Sequence, residues 1–248
     1  MVTIKSEQEI DLMRKAGVIL RDVLRLVSDN AKPGVTLRRL DAIAYDYIKR
    51  NNAVPSFLGY GGFPATLCLS IDDEIVHGIP GDRVLEEGML LKIDAGVGVG
   101  GFHTDAARTV GIGRISAEKA ALKDCCEECF FKGVSILKEG VRLGDLGAAI
   151  MKHAEARGYG VVRELVGHGI GATVHEDPSV PNYGVPGRGM RLAANMTLAI
   201  EPMINLGTRK VMQVEGDDWT VFTADGKPSA HYENTVVIRP EGVEILTL

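Results

Sequence analysis

The sequence predicts an α+β fold in which two related halves, approximately residues 1–115 and 116–248, form a single domain. Each half contains a pair of amphipathic helical runs followed by apolar, strand-like runs. A connector segment and a strand segment of the first half recur in the second at offsets of 106 and 107 residues. Two matches at nearly the same offset indicate a duplicated unit. We therefore expect halves related by a pseudo-twofold axis, with helices covering one face of a curved, mainly antiparallel sheet.

The duplication places particular residues at equivalent positions. The connector KPGVTL at 32–37 is matched by KEGVRL at 138–143. The strand segment EGMLLKID, which ends at Asp94, is matched by ANMTLAIE, which ends at Glu201. Two acidic residues are therefore expected at corresponding places in the two halves.

Four helices are predicted, in two pairs. A capping box formed by Ser6 and Glu9 marks the start of the first helix. The second helix is expected over 37–52, the third over 116–139 and the fourth over 141–158.

Composition excludes several classes of partner. A net charge of −5 and a pI near 5.7 argue against a nucleic-acid surface, and no stretch approaches the ~18 apolar residues of a membrane span. Since the N-terminus has no apolar signal segment, we expect a cytoplasmic protein, and a monomer by default. Cys126 and Cys129 have the spacing of a redox or zinc pair. No second pair completes such a site, which favours buried free thiols.

Four carboxylates lie in apolar, strand-like runs, and a histidine stands between them in a glycine-rich segment. These candidate metal ligands are Asp94, Asp105, His168, Glu201 and Glu233. Buried carboxylates without partners are costly, and only Lys92 and Arg108 are basic residues nearby in sequence. The set predicts two divalent cations that activate a water molecule for hydrolysis, with Glu201 as the candidate general base. Carboxylates with one imidazole favour Mn(II), Fe(II) or Co(II) and also admit Zn(II).

A hairpin is predicted around the first two acids. If Val99 and Gly100 form its tip, Asp94 faces Asp105 with Cβ atoms ~5 Å apart. Two like charges so placed repel unless a cation lies between them. His103 shares the face of Asp105 and is either a supporting residue or an ordinary hydrogen-bonded histidine.

Three further features concern histidines. His168 lies among glycines, and His175 follows it by an odd number of residues. A bent loop must therefore separate the two if both face the site. His77 follows a predicted strand and is a weak signal alone. Neither a nucleophile elbow nor a phosphate-binding loop is present.

The motifs HGIP, D-(x)10-D, GHGIG, VHEDP, AIEPM and YENTVVI resemble, in order and spacing, the type I methionine aminopeptidases over essentially the whole chain. The resemblance implies a pita-bread fold and a single catalytic domain that removes initiator methionine from nascent polypeptides, near the ribosome. It further implies that Asp94 chelates one metal, that Asp105 and Glu233 bridge both, and that His168 and Glu201 complete the ligand set.

The same resemblance implies that His77 and His175 contact the peptide and stabilise the tetrahedral intermediate. It also suggests a methionine pocket with apolar walls, lined by Phe57, Tyr60, Phe63, Cys68 and Trp219. Two positions depart from the family pattern, because Phe57 stands where a small residue is common and Val174 where an aromatic is common. Only 32 residues separate His168 from Glu201, too few for the insertion of type II enzymes.

Three alternatives remain open at this stage. Proline dipeptidases and Xaa-Pro aminopeptidases resemble the chain in their metal ligands but usually carry a large N-terminal domain. A non-catalytic pita-bread protein would be expected to lose ligands and gain basic extensions. An unrelated dimetal phosphatase would need a basic clamp for its anion.

Overall fold

The computed structural model describes residues 2–248, which form four α-helices, a short 3-10 helix at Tyr60–Gly62 and fifteen strands. The helices are α1 (Glu7–Asn30), α2 (Leu37–Arg50), α3 (Ala117–Val134) and α4 (Leu143–Glu155). The strands are β1 (Val54–Pro55), β2 (Leu67–Ile71), β3 (Glu74–Val76), β4 (Leu90–Val99), β5 (Phe102–Gly111), β6 (Gly160–Val161), β7 (Gly167–Gly169), β8 (Glu176–Val180), β9 (Thr197–Ile200), β10 (Met203–Asn205), β11 (Val211–Met212), β12 (Val221–Thr223), β13 (Ser229–His231), β14 (Asn234–Arg239) and β15 (Gly242–Ile245).

The predicted capping box opens α1. The Glu9 amide donates to Ser6 Oγ at 3.3 Å, and the Ser6 amide donates to the Glu9 carboxylate at 2.7 Å. These bonds satisfy backbone donors that the first turn of a helix leaves free. Thr36 caps α2 by accepting from the Arg39 amide. Both α2 and α4 lie inside their predicted ranges.

Helix α3 ends five residues before the predicted limit at 139, so this part of the prediction was wrong. Gly133 and Val134, at its end, are poor helix formers. The chain beyond them is held by tertiary contacts instead, because the Glu139 amide donates to the Arg239 carbonyl at 3.0 Å. A helix continuing through Glu139 would lose that bond.

Equivalent hydrogen bonds in the two halves confirm the repeated α+β arrangement. The Gly34 amide donates to the Leu85 carbonyl at 2.8 Å, and the Gly140 amide donates to the Leu192 carbonyl at 2.8 Å. The corresponding residues are 106 and 107 positions apart. Each helix pair is thus tied in the same way to the chain that leads into a central strand.

The main sheets of the two halves are antiparallel and meet edge to edge. In the first half β4 pairs with β1, β2 and β5, and in the second the order is β15-β14-β9-β7-β8. Ala107 of β5 and Glu233, just before β14, exchange two backbone hydrogen bonds of 3.0 and 3.3 Å. The polar residues of β5 therefore lie beside those that flank β14.

Helices cover one face of these sheets. Ile93 and Val97 of β4 pack with residues of α1 and α2, whereas Leu198 and Val236 pack with residues of α3 and α4. Because successive side chains of a strand point to opposite faces, Asp94 is directed away from α1 and α2. None of the helices within residues 2–248 is both long and apolar enough to cross a bilayer.

The β4–β5 hairpin turns at Gly100 and Gly101, so the predicted register was wrong by two residues. These glycines have φ angles of 60° and 83°, and a two-residue hairpin turn with both φ values positive strongly favours glycine. Asp105 consequently pairs with Gly96 rather than with Asp94. A shift of two keeps every side chain on its face, so the two aspartates are diagonal neighbours.

Candidate metal centre and substrate pocket

The structure brings all seven candidate ligand and catalytic residues to one small cavity of about 130 Å³. They are Asp94, Asp105, His168, Glu201, Glu233, His77 and His175. Residues separated by up to 156 positions in sequence, from His77 to Glu233, therefore share one site.

The four acids occupy two strands and two strand ends. Asp94 lies in β4 and Asp105 in β5, while Glu201 follows β9 directly and Glu233 directly precedes β14. Pairing of Asn234 with Ile200 holds the last two together. The expectation of strand-like runs is met, although the two glutamates stand just outside the regular strands.

The acids and imidazoles are close enough to share cations. Ligand atoms of Asp105, His168 and Glu233 lie within 4.8 Å of one another, as do those of Glu201, His231 and Glu233. His168 Nε2 is 3.7 Å from Glu201 Oε1. Glu233 belongs to both groups, so its carboxylate stands between them.

Several buried polar atoms at the site have no hydrogen-bond partner within residues 2–248. They are Asp94 Oδ1, Asp105 Oδ1, Glu233 Oε1 and both ring nitrogens of His231. The two nearby basic residues bind backbone carbonyls instead of the site carboxylates. Lys92 Nζ donates to the Asp72 carbonyl at 2.7 Å, and Arg108 donates to the Glu233 carbonyl at 2.6 Å. Orphaned oxygens and nitrogens of this kind fit a divalent cation.

Burial dominates the electrostatics of the site. Loss of solvation raises the pKa of Asp94 to about 7 and that of Glu201 to about 8. It also raises the pKa values of Asp105 and Glu233 well above their ordinary range, and neighbouring carboxylates raise them further. The acids therefore compete for protons until a cation neutralises them.

His168 is prepared to act as a ligand. Burial lowers its pKa to about 4, so the ring is neutral at pH 7. Its Nδ1 lies 2.8 Å from the Gly169 carbonyl, which can only accept a hydrogen bond. The proton therefore resides on Nδ1, and Nε2 carries the free lone pair, the arrangement usual for ligating histidines.

The loop 171–175 supplies the bend that the sequence required between His168 and His175. The two rings lie with centroids 4.1 Å apart, so both face the cavity. His175 stacks on Tyr60 at 5.2 Å, and its Nδ1 lies 3.0 Å from the Tyr60 hydroxyl. The phenol ring and hydroxyl thus fix the orientation of this imidazole.

His77 has a left-handed backbone, with φ of 62°. Non-glycine residues adopt this region at a cost of order 1–3 kcal/mol, and such strain is concentrated at functional positions. Burial lowers the pKa of His77 to about 4, which makes it a neutral hydrogen-bonding group. His103, in contrast, is engaged with Ser56, whose Oγ lies 2.8 Å from Nδ1.

An apolar cluster adjoins the acids. It contains the predicted pocket residues Phe57, Phe63, Cys68 and Trp219 together with Ala65 and Val174, and Tyr60 also lines the cavity. The rings of Phe63 and Trp219 meet edge to face at 5.1 Å. Cys68 pairs with Asp94 across the strands, and burial raises the pKa of its thiol, so it serves as an apolar wall. Both departures from the family pattern, Phe57 and Val174, lie in this one cluster.

His231 is a site residue that the sequence analysis missed. Its Nε2 lies 3.5 Å from Glu201 Oε2 and 3.7 Å from Glu233 Oε2. The signal was present, because His231 and Glu233 are two residues apart in a strand-like run and such residues share a face.

A much larger groove of about 850 Å³ beside α3 and α4 is open, and none of the candidate ligands lines it. The four cysteines are buried and free, as predicted.

Buried acids and neutral imidazoles on the inner face of a duplicated α+β fold define a metallopeptidase of the pita-bread class. The chain belongs to metallopeptidase family M24, whose family model matches residues 11–240. It is 53% identical to the methionine aminopeptidase of Clostridium perfringens, over all of this chain and 99% of that one. A solved methionine aminopeptidase from Thermotoga maritima is 40% identical with a TM-score of 0.97, covering 100% and 99% of the two chains. Membership of this family implies a divalent-metal-dependent enzyme that acts on peptides.

The fold is shared with proline-directed enzymes. A prolidase from Pyrococcus furiosus has a TM-score of 0.82 at 23% identity, and the match covers 99% of this chain and 65% of the prolidase. This likeness concerns the fold alone.

Proposed function

We infer that this chain is a methionine aminopeptidase, which hydrolyses the peptide bond after an N-terminal methionine. The observation that carries the inference is the apolar cluster around Phe63 and Trp219, directly beside the convergent acids. The cavity of about 130 Å³ has room for one side chain, and the unbranched, polarizable thioether of methionine suits its apolar walls.

We propose that the site would hold two divalent ions, for which Asp105 and Glu233 would supply carboxylates common to both. The convergence of several ligands supports a pair of ions, because ligand atoms of Asp105, His168 and Glu233 lie within 4.8 Å of one another and His168 Nε2 is 3.7 Å from Glu201 Oε1. Asp94 serves one ion, while His168 and Glu201 complete the set. Bound ions of the Mn, Fe, Co or Zn type would act as Lewis acids that activate a water molecule and polarise the scissile carbonyl.

The protein's own residues supply the remaining functions. Glu201, which is ionised once cations neutralise the site, would accept the proton of the attacking water as general base. His175, held at Nδ1 by Tyr60, donates a hydrogen bond to the oxygen on which negative charge develops. His77 contacts the substrate peptide. Phe57, Tyr60, Phe63, Cys68 and Trp219 hold the methionine side chain and exclude water.

The substrates we propose are the N-termini of nascent polypeptides emerging from the ribosome in the cytoplasm. We further propose that the chain works as a monomer and as a single catalytic domain made of the halves 1–115 and 116–248. The site supports a single catalytic domain, because it combines Asp105 of the first half with Glu233 of the second.

A comparison of two peptides tests the proposed activity. Enzyme freed of metal with a chelator and then reloaded with one metal at a time is incubated with Met-Ala-Ser and Ala-Pro-Ser. We expect methionine to be released from the first peptide and no cleavage of the second. Preferential cleavage before proline would instead assign the chain to the Xaa-Pro enzymes. Absence of turnover of both peptides with every metal would favour a non-catalytic binding protein.

A further inference from the structure

His231 lies against the outer oxygens of the proposed ligands, and its ring is 1% exposed. Its Nε2 is 3.5 Å from Glu201 Oε2 and 3.7 Å from Glu233 Oε2. Neither ring nitrogen has a hydrogen-bond partner in the part of the chain that the structure describes. A buried polar group without a partner destabilises the folded state, so at least one ring nitrogen is expected to form a hydrogen bond.

The backbone of His231 is fixed, which keeps the ring beside the acids. The Thr109 hydroxyl donates to the His231 carbonyl at 2.7 Å and accepts from its amide at 2.9 Å. His231 also pairs with Met203 between β13 and β10. The imidazole can therefore tilt, but it cannot leave the carboxylates without disrupting these strands.

The carboxylate of Glu201 lies between two imidazoles that have different roles. Its Oε1 is 3.7 Å from His168 Nε2, and its Oε2 is 3.5 Å from His231 Nε2. Since His168 carries its proton on Nδ1, its Nε2 cannot donate to Glu201. A hydrogen bond that orients Glu201 can come from His231 Nε2–H.

We propose that His231 is a positioning residue whose Nε2–H donates to Glu201 Oε2 and thereby holds Oε1 toward His168. This inference rests on the metal centre proposed above. The 3.5 Å separation exceeds an ordinary N–H···O distance of about 2.9 Å, so a small tilt of the ring completes the bond. Outer hydrogen bonds of this kind fix the orientation of ligating carboxylates and typically change metal affinity 10- to 100-fold, roughly.

Three variants separate donation from bulk. His231→Leu keeps the side-chain volume and removes the donor. His231→Gln keeps an amide N–H at a similar distance from the backbone, whereas the shorter side chain in His231→Asn cannot bring its amide N–H to Glu201 Oε2. Mn(II) affinity is measured by calorimetry on the chelator-treated full chain, beside the melting temperature of each variant. We expect the Leu and Asn variants to bind about 10- to 100-fold more weakly and the Gln variant to stay within about threefold of wild type. His103→Leu, a histidine engaged with Ser56 instead, is the matched control and is expected to bind normally.

A spectroscopic count of bound imidazoles distinguishes positioning from direct ligation. In the Co(II)-loaded protein, the exchangeable N–H proton of a ligating ring gives a strongly shifted NMR resonance. We expect one such signal, from His168, and its retention in His231→Gln. A second signal that disappears in His231→Gln would make His231 a ligand and overturn the proposal. Wild-type affinity in the Leu variant, or in the Asn variant should Leu not fold, would also overturn it. Failure of the wild-type protein itself to bind metal would reject the proposed centre instead.

Discussion

Thr235 holds Asp105 by both of its backbone polar groups. The Asp105 amide donates to Thr235 Oγ1 at 2.8 Å, and the Thr235 hydroxyl donates to the Asp105 carbonyl at 2.9 Å. Asp105 belongs to β5 and Thr235 to β14, so one hydroxyl joins the two main sheets at the proposed bridging ligand. The position of that carboxylate is therefore set by a contact between the halves.

Replacing Thr235 with valine tests this relationship. The change preserves shape but leaves the buried amide and carbonyl of Asp105 unpaired, and each unpaired group is expected to cost about 1–3 kcal/mol of unfolding free energy. We also expect weaker Mn(II) binding, because the ligand loses its anchor. Thr235→Ser, which keeps the hydroxyl, should retain metal affinity, and denaturant unfolding with calorimetry measures both quantities. Equal metal affinity in the valine and serine variants would contradict the anchoring role.

Metal binding is predicted to release protons. Loss of solvation raises the pKa of Asp94 to about 7 and that of Glu201 to about 8, and it raises the pKa values of Asp105 and Glu233 well above their ordinary range. Cations bind only the ionised carboxylates, so at pH 7 we expect at least about one proton released per protein on Mn(II) binding. Calorimetry in buffers of different ionisation enthalpy gives this number directly. Each proton released should weaken apparent affinity about tenfold per unit of falling pH.

The same shifts determine how the metal-free protein responds to pH. Because the folded-state pKa values lie above the unfolded values near about 4, the folded protein binds more protons between pH of about 4 and 8. Stability of the chelated protein is then present at acidic pH and falls as the pH rises through that window. Added Mn(II) should raise the melting temperature more at pH 8 than at pH 6.

Asp105→Asn removes one of these acids. This variant should release fewer protons on Mn(II) binding and should lose activity while remaining folded. No proton release from the wild-type protein would show that the acids are already ionised.

Much of this arrangement was accessible from the sequence because its signals are local. The capping box at Ser6 predicts the start of α1, and the repeated connector predicts the duplicated fold. Acids in apolar runs predict burial, and burial without basic partners predicts a cation site. The register of the β4–β5 hairpin could also have been obtained, since only Gly100 and Gly101 can both take positive φ without strain.

Other features depend on contacts that no local pattern reports. The distant Arg239 carbonyl determines where α3 ends, because it accepts a hydrogen bond from the Glu139 amide. Thr235, 130 residues away, fixes the position of the Asp105 backbone. Aromatic residues such as Phe63 cannot be distinguished in the sequence from ordinary core residues. The pocket was therefore predicted only through the family resemblance. His231 was overlooked although it shares a strand face with Glu233, because no known motif includes it.

The hydroxyl of Tyr60 is predicted to tune His175. Tyr60→Phe preserves the stacked ring but removes the hydrogen bond to Nδ1, which is 3.0 Å long. A net hydrogen bond of about 0.5–1.5 kcal/mol corresponds to roughly a 2- to 13-fold fall in kcat if it orients the imidazole for catalysis. Thermal stability should hardly change, because Tyr60 is 41% exposed. Steady-state kinetics on Met-Ala-Ser, with Tyr60→Leu for comparison, gives the measurement. If Tyr60→Phe has the kcat of the wild-type enzyme, Tyr60 acts on His175 only through ring stacking.

A largely buried ion pair joins the N-terminal segment to Glu176, the residue that follows His175 and begins β8. Lys5 Nζ donates to Glu176 Oε2 at 2.7 Å, and these side chains are only 5% and 11% exposed. Thr3 Oγ1 donates to the same oxygen at 2.7 Å. Although burial raises the pKa of Glu176, the hydrogen bonds from Lys5 and Thr3 outweigh it and lower that pKa overall.

Lys5→Met should therefore destabilise the protein by about 1–3 kcal/mol at pH 7, because it removes a charge-assisted hydrogen bond to Glu176, which keeps its bonds from Thr3 and the Thr173 amide. The control is Arg38→Met, which breaks an ion pair with Asp82 whose side chains are 66% and 82% exposed, and is expected to cost at most about 1 kcal/mol. A lowered carboxyl pKa contributes stability above the unfolded-state pKa and loses it as the pH falls through the folded-state value. The difference between Lys5→Met and wild type should consequently shrink on acidification, and urea unfolding at several pH values measures it. Equal losses of unfolding free energy in the Lys5 and Arg38 variants at pH 7 would mean that the Lys5–Glu176 ion pair contributes no more than a surface pair.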